Sequence, residues 1–376
     1  MRILLTGGGT AGHIHPAIAI AEILRANDPH SEIAFVGTPD GMENRLVGDC
    51  GYPMYHVRVC GFSRSLSLRN IKALYLALTS PHAAKRILRE FAPDAVIGTG
   101  GYVSWPILAA AAKCGIPTAL HESNALPGLT TRRLAPHMDA IWLNFRETAA
   151  ALPHCKNPPV YTGNPLRSAF STVSRASARR ALHLNEQDLL LLSFGGSLGA
   201  DAINRACLTA DRFLFRKVPQ LRHVHACGRS HYDSCRAFAP ELQNPRLSLL
   251  PFIDQMPLYM SAADIIISRA GAMTISELAL CGKCAILIPS PHVADNHQLK
   301  NASVLADAGA AILLQESQLS PESLSEIILH LADSPQHRTA LENTIRRFAK
   351  PDANRSVWQE IRKLVSTPSH PSPAKD

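Results

Sequence analysis

"LLTGGGTAGHIHPAIAIAEIL", residues 4–24, leads from an apolar strand through a glycine loop into a helical pattern. Its Gly7-x-Gly9-x-x-Gly12 spacing fits the dinucleotide-binding fingerprint. Such a loop holds anions for a physical reason. The N–H groups of the first helical turn are unpaired, the helix dipole is positive there, and glycines let a phosphate approach the backbone.

The same order returns at residues 189–206, "LLLLSFGGSLGADAINRA". Around each loop, buried-strand patterns alternate with helical ones. "EIAFVG", "DAVIGTG", "IPTALHE" and "AIWLNF" belong to the first half; "RHVHAC", "LSLLPFI", "ADIIISRAG", "CAILIPS" and "AAILL" belong to the second. This alternation predicts parallel sheets covered by helices on both faces. The reading is α/β, with two Rossmann-like domains and ligand crevices at the carboxyl ends of their strands. A Ser- and Arg-rich stretch near 162–182 marks the lead-in to the second domain. The expected bounds are 1–166 and 167–349, and the Pro- and Ser-rich tail 367–376 is expected to be disordered.

The chain has 376 residues, a net charge of +8 and a charged fraction of 18%. The basic excess favours anionic partners, but no aromatic-interleaved basic patch or reader motif points to nucleic acid. No apolar run reaches the ~18 residues that span a bilayer, and "MRILLTGGG" does not read as a signal peptide. A cytoplasmic location is therefore expected. The nine cysteines follow no framework spacing. Cys281-Gly-Lys-Cys284 reads as a redox pair or as a helix end meeting a strand start. Neither it nor the dispersed histidines have metal-ligand spacing.

A nicotinamide enzyme would carry an acid at the end of the second strand, for the ribose hydroxyls. That strand ends Gly37-Thr38, with Asp40 as the nearest acid, in the loop beyond. Further glycine turns stand at strand ends: "GTGGYVSWP" (98–106), "FGGSLGA" (194–200) and "SRAGAMTISE" (268–277). Together they suggest phosphate-binding turns in both domains. Glu277 could accept both hydroxyls of a ribose, or could complement a helix dipole.

These motifs, with "HESNALPGL", "TGNPLR", "PFIDQM" and "PSPHVADNHQLKNA", carry a resemblance in order and spacing along nearly the whole chain. The chain resembles the MurG family, bacterial N-acetylglucosaminyltransferases of peptidoglycan synthesis. The resemblance implies the GT-B architecture, two Rossmann-like domains with a cleft between them, and a C-terminal helix (about 350–366) packed back on the first. It implies UDP-N-acetylglucosamine as donor and lipid I as acceptor. The sugar goes to the muramoyl 4-hydroxyl with inversion, giving lipid II and UDP.

Family contacts carried onto this sequence place Thr10, Ala11 and Gly12 against sugar and diphosphate and Asn124 on the N-acetylglucosamine. Arg167 and Ser197 would hold the phosphates, and Ile253 would meet uracil through its backbone. Ala272, Met273, Thr274, Ile275, Ser276 and Glu277 would wrap the uridine, with Glu277 on the ribose. Gln298 would hold sugar hydroxyls. Ala11, Ser123, Leu198 and His297 depart from common family residues and bear on details of sugar contact. His13 at the loop-to-helix junction is read as general base, an imidazole being suited to proton transfer near neutral pH, against the alternative of a helix-flanking polar residue. His15, before Pro16, is read as structural. No Asp-x-Asp motif occurs, so neither metal nor cofactor is expected.

A lipid-linked acceptor implies a peripheral position on the cytoplasmic side of the membrane, with other cell-wall synthesis proteins as candidate partners. Residues 63–90 combine basic side chains with an apolar stripe: Arg69 and Lys72 beside Leu74, Tyr75 and Leu78. This pattern suits an anionic leaflet, or else a helix whose apolar face is core. The rival functions are another UDP-sugar enzyme on the same scaffold, such as an epimerase or glycolipid synthase, and a non-catalytic nucleotide-sugar-binding subunit.

Overall fold

The computed structural model describes residues 1–59, 68–196, 198–238 and 244–366, without the side chains of residues 68–79 and Ala294. The chain divides into two compact units, Met1–Arg167 with the segment from Asp352 onward, and Ser168–Pro351.

The first unit holds a seven-stranded parallel sheet. Its strands are β1 (Arg2–Thr6), β2 (Glu32–Gly37), β3 (Met54–His56), β4 (Ala95–Gly98), β5 (Thr118–Glu122), β6 (Ala140–Leu143) and β7 (Val160–Tyr161), in the order β3-β2-β1-β4-β5-β6-β7. Side chains of a strand alternate between its faces, and both faces here are apolar. Ile3 and Leu5 pack with Ile20 and Leu24 of helix Ala11–Asn27 and with Val357, Ile361 and Leu364 of helix Ala353–Ser366. Leu4 and Val96 point the other way, into a core with Ile107, Leu108, Ile87 and Leu88. The two edge strands β3 and β7 are too short, at three and two residues, to leave an apolar run in the sequence.

The second unit repeats the plan with β8 (Leu189–Phe194), β9 (Leu221–Ala226), β10 (Leu247–Leu250), β11 (Ile265–Ser268), β12 (Cys284–Leu287) and β13 (Ile312–Leu313). Their order is β10-β9-β8-β11-β12-β13, all parallel. Each sheet therefore reverses its winding once, between β1 and β4 and between β8 and β11. Those reversals are the switch points where open α/β sheets bind ligands. All four glycine turns seen in the sequence follow the four strands that flank them.

Cys281 ends helix Ala272–Cys281, Gly282 turns with φ +62° and Cys284 begins β12. The pair is a helix stop and a strand start. Ser197 and the tail 367–376 lie outside the described residues, as do the side chains of Arg69, Lys72, Leu74, Tyr75 and Leu78. In the rest of helix Leu68–Phe91 the apolar residues Ala84, Ile87, Leu88 and Phe91 are core, while Lys85, Arg86 and Arg89 are exposed.

Candidate active site

In the first unit the turns after β1 and β4 interlock. A Cβ on Gly7 would fall 2.1 Å from Thr99 Oγ1, and one on Gly8 would fall 2.9 Å from Val103. Gly101, at φ +80°, packs so that its Cβ would lie 2.2 Å from the Gly8 carbonyl. These glycines are required by protein packing, before any ligand is considered. Gly12 differs: its nearest neighbour would be Thr10 Oγ1 at 3.7 Å, so its backbone is open to a substrate. Gly101→Ala is expected to lower stability by about 2–4 kcal/mol, from the left-handed backbone and the overlap together. Gly12→Ala is expected to be near neutral in the same thermal-unfolding comparison.

His13 stands at the centre of this interlock. Thr10 is extended (φ −147°, ψ 153°) ahead of helix Ala11–Asn27 and gives it no side-chain cap. Its Oγ1 lies 3.1 Å from His13 Nδ1 instead. The Gly8 carbonyl is 3.3 Å from the same nitrogen. A carbonyl only accepts, so that contact places the proton of a neutral ring on Nδ1 and leaves Nε2 as the basic nitrogen. Beside Nε2 lies Gly100, whose Cβ would come within 3.2 Å of it. Thr99 Oγ1 donates to the His13 carbonyl at 2.6 Å. The turn after β4 is thus shaped around the imidazole.

Two carboxylates that sequence reasoning missed organise the neighbouring loops. Glu43 is buried and folds back to the end of β2, accepting from Thr38 N and Thr38 Oγ1, each at 2.8 Å, and from Gly9 N at 3.5 Å. An acid does therefore stand at the end of the second strand. Its oxygens hold the protein's own backbone, and it braces the first glycine loop. Glu122 accepts from Asn124 N and Nδ2, Gly128 N and Thr131 Oγ1. Nothing in local spacing flagged Glu43; Glu122 was visible inside the "HESN" motif.

Asn124 is held at this carboxylate by its own side-chain amide. Ser123, one of the departures, is buried, with its carbonyl accepting from Asn144 Nδ2. His121 is fully buried, with Nε2 3.1 Å from the Gly163 carbonyl, and burial lowers its pKa below the usual imidazole value. It ties β5 to the "TGNP" loop. Leu166 is clasped by Asn354 through two hydrogen bonds, leaving Arg167 exposed at the end of the unit.

In the second unit Gly195 and Gly199 are again demanded by packing, with Cβ positions 2.3 Å from Ala200 N and 2.1 Å from the Cys227 carbonyl. Gly196, at φ +87°, has nothing near. Leu198 is exposed and Ile253 is buried. Ala272 to Glu277 form the start of helix Ala272–Cys281, after the N-cap Gly271. Ile275 points into the core, so its backbone alone could face a ligand. Met273, Thr274, Ser276 and Glu277 are half-buried. Glu277 sits in the second turn, where a helix dipole has faded, so the dipole reading of this residue weakens. Gln298 Oε1 accepts from Ser290 N at 2.8 Å, which makes its NH2 the group with donors to offer a ligand. Just before it, Asp295 and Asn296 both adopt φ +53°, a conformation that short polar residues tolerate.

Among the described residues no group of three or more His, Cys, Asp or Glu could hold a metal ion. No helix among them is long and apolar enough to cross a membrane.

Comparison with known proteins bears on this arrangement. Residues 3–142 match the glycosyltransferase family 28 N-terminal domain and residues 190–356 the family 28 C-terminal domain. The chain is 39% identical, over 97% of its length and 100% of the relative's, to a UDP-N-acetylglucosamine--N-acetylmuramyl-(pentapeptide) pyrophosphoryl-undecaprenol N-acetylglucosamine transferase of Thermoanaerobacter sp. (strain X514). The same-named protein of Halalkalibacterium halodurans is 37% identical, with 97% and 100% covered. Among solved structures, MurG of Acinetobacter baumannii superposes with a TM-score of 0.76 at 32% identity, covering 96% of this chain and 99% of that one. A UDP complex of S. aureus MnaA shares the fold at 13% identity, with a TM-score of 0.69 and 98% of both chains covered.

Proposed function

This chain belongs to the family of UDP-N-acetylglucosamine--N-acetylmuramyl-(pentapeptide) pyrophosphoryl-undecaprenol N-acetylglucosamine transferases, and from that premise we infer its reaction. It transfers N-acetylglucosamine from UDP-N-acetylglucosamine to the 4-hydroxyl of the muramoyl sugar of lipid I, with inversion, and releases lipid II and UDP. The observation that carries this reading is identity of 39% across 97% of the chain. The glycine turns at both switch points supply anion-binding backbone consistent with a diphosphate-bearing donor.

Sugar transfer needs a proton removed from the acceptor hydroxyl while UDP departs as an anion. In our reading His13 Nε2 takes the proton. Thr10, Ala11 and Gly12 offer backbone to sugar and diphosphate, Asn124 orients the acetamido sugar, and Arg167 with Ser197 meets the phosphates. Departing charge is stabilised by helix N-termini and Arg167. The backbone at Ile253 reads uracil, the turn at Ala272 to Ser276 wraps the uridine, Glu277 takes the ribose and the Gln298 amide donates to sugar hydroxyls. The exposed position of Arg167, and the Gln298 amide fixed by Ser290 N with its oxygen as acceptor, support these roles.

A transfer assay with labelled donor and a lipid I analogue tests the reaction. UDP release that depends on acceptor is expected. An epimeric UDP-sugar formed without acceptor would overturn it in favour of an epimerase on the shared fold.

We place the chain peripherally on the cytoplasmic side of the membrane, held by basic residues 63–90. Vesicles with an anionic lipid are expected to bind it and neutral ones to bind it less. Arg69→Glu with Lys72→Glu is expected to weaken binding to anionic vesicles by about 30-fold or more, at about 1 kcal/mol for each positive charge lost. Unchanged sedimentation would reject this surface.

A further inference from the structure

A line of buried polar side chains crosses the second unit: Asp211, His223, Ser193, His225 and Asn204. His223 Nδ1 lies 2.8 and 2.9 Å from the two Asp211 oxygens, and its Nε2 lies 2.7 Å from Ser193 Oγ. Ser193 Oγ is 2.5 Å from His225 Nδ1. His225 Nε2 is 3.1 Å from Asn204 Oδ1, and Asn204 Nδ2 donates to the Cys227 carbonyl at 3.0 Å. Every link needs one proton, and the far end sets the directions. The Cys227 carbonyl only accepts, so Asn204 turns its NH2 there and its Oδ1 to His225. His225 Nε2 must then carry a proton.

Burial first, and then the charge of His223, lowers the pKa of His225 well below the usual imidazole value, so this ring is neutral. Its Nδ1 is therefore an acceptor and takes the Ser193 hydroxyl proton. Ser193 Oγ has no second proton to give, so His223 Nε2 must donate to it. The His223–Asp211 link then needs a proton of its own, and since both carboxylate oxygens lie within 2.9 Å of Nδ1, a single N–H there serves both. The line holds one proton more than two neutral imidazoles, a hydroxyl and a carboxylate would carry. Among the described residues, two thiols also interact with it. Cys207, beside Ser193 and Asp211, and Cys235, beside Asn204, are both pushed up by burial and stay protonated.

The line ends under a functional turn. The Cys227 carbonyl that Asn204 clamps is the atom against which Gly199 packs, and a Cβ on Gly228 would meet the Leu198 carbonyl at 2.6 Å. We propose that His223 is stored as a buried imidazolium on Asp211, and that the hydrogen-bonded line it completes positions Gly199, at the end of the second glycine turn, for binding of the donor diphosphate by that turn. His223, His225 and Asn204 are positioning residues, and the second half of the proposal rests on assigning that turn to the diphosphate.

The test uses the full chain with nitrogen-15-labelled histidine at pH 8. One buried imidazole, absent from His223→Gln, is expected to show protons on both nitrogens; a singly protonated His223 overturns the stored charge. Asn204→Ala is expected to raise the KM for UDP-N-acetylglucosamine about tenfold, the worth of one buried hydrogen bond, with kcat within about threefold. Asp211→Asn supplies an amide donor to Nδ1 in place of the stored proton, so a wild-type KM is expected there. An unchanged KM in folded Asn204→Ala overturns the positioning role. If Ser197→Ala also leaves UDP affinity unchanged, the diphosphate assignment itself has failed; if Ser197→Ala weakens UDP and Asn204→Ala does not, only the positioning role has.

Discussion

His13→Ala is expected to reduce kcat by about 10²–10⁴-fold, the usual contribution of a positioned general base. The KM for UDP-N-acetylglucosamine should change little, because the contacts assigned to the uridine belong to other residues. The geometry makes the prediction specific to one nitrogen. Nδ1 is engaged by the Gly8 carbonyl and Thr10 Oγ1, which leaves Nε2, beside Gly100, as the nitrogen that can take a proton. His13→Gln keeps polarity and bulk but has no basic nitrogen, so it should be as inactive as alanine. Wild-type kcat in either variant would remove His13 as base while leaving the transferase assignment in place.

Glu277→Ala is expected to raise the KM for UDP-N-acetylglucosamine about 10–100-fold, with kcat far less affected. A carboxylate accepting a ribose hydroxyl makes a charge-assisted hydrogen bond worth about 1.5–3 kcal/mol. The same variant should lose discrimination between UDP and its dideoxyribose analogue in competition. Should Glu277 merely serve its helix, the variant would lower the melting temperature and leave KM alone. Its second-turn position makes that outcome the less expected one.

Much of this architecture could be read along the chain. Strands such as Ile3–Leu5 and Ile265–Ile267 are continuous apolar runs because both faces of a parallel sheet are covered, and such runs are visible without knowing their neighbours. The glycine turns were legible for the same local reason. The strands β3 and β7 were not, since an edge strand of two or three residues gains its identity from the partner it pairs with. The ribose argument drawn from β2 shows the same limit. The strand end looked bare of acid because Glu43 reaches it by folding back through space, five residues on from Thr38.

By itself the sequence determined the two-fold repetition of strand, glycine turn and helix, and the motif order that carries the family. Those are properties of neighbours in the chain, set by periodicity and backbone freedom. The tertiary structure alone decided what the glycines are for and what the buried polar groups do. Gly100 and Gly101 close on His13 from 87 and 88 positions away, a packing contact that leaves no local trace. Ser193 meets His225 because β8 and β9 pair in that register, and Asp211 reaches His223 because the intervening helix returns along the sheet. Hydrogen bonds are short and directional, so which group holds a proton depends on atoms within about 3 Å, and only folding brings those atoms together.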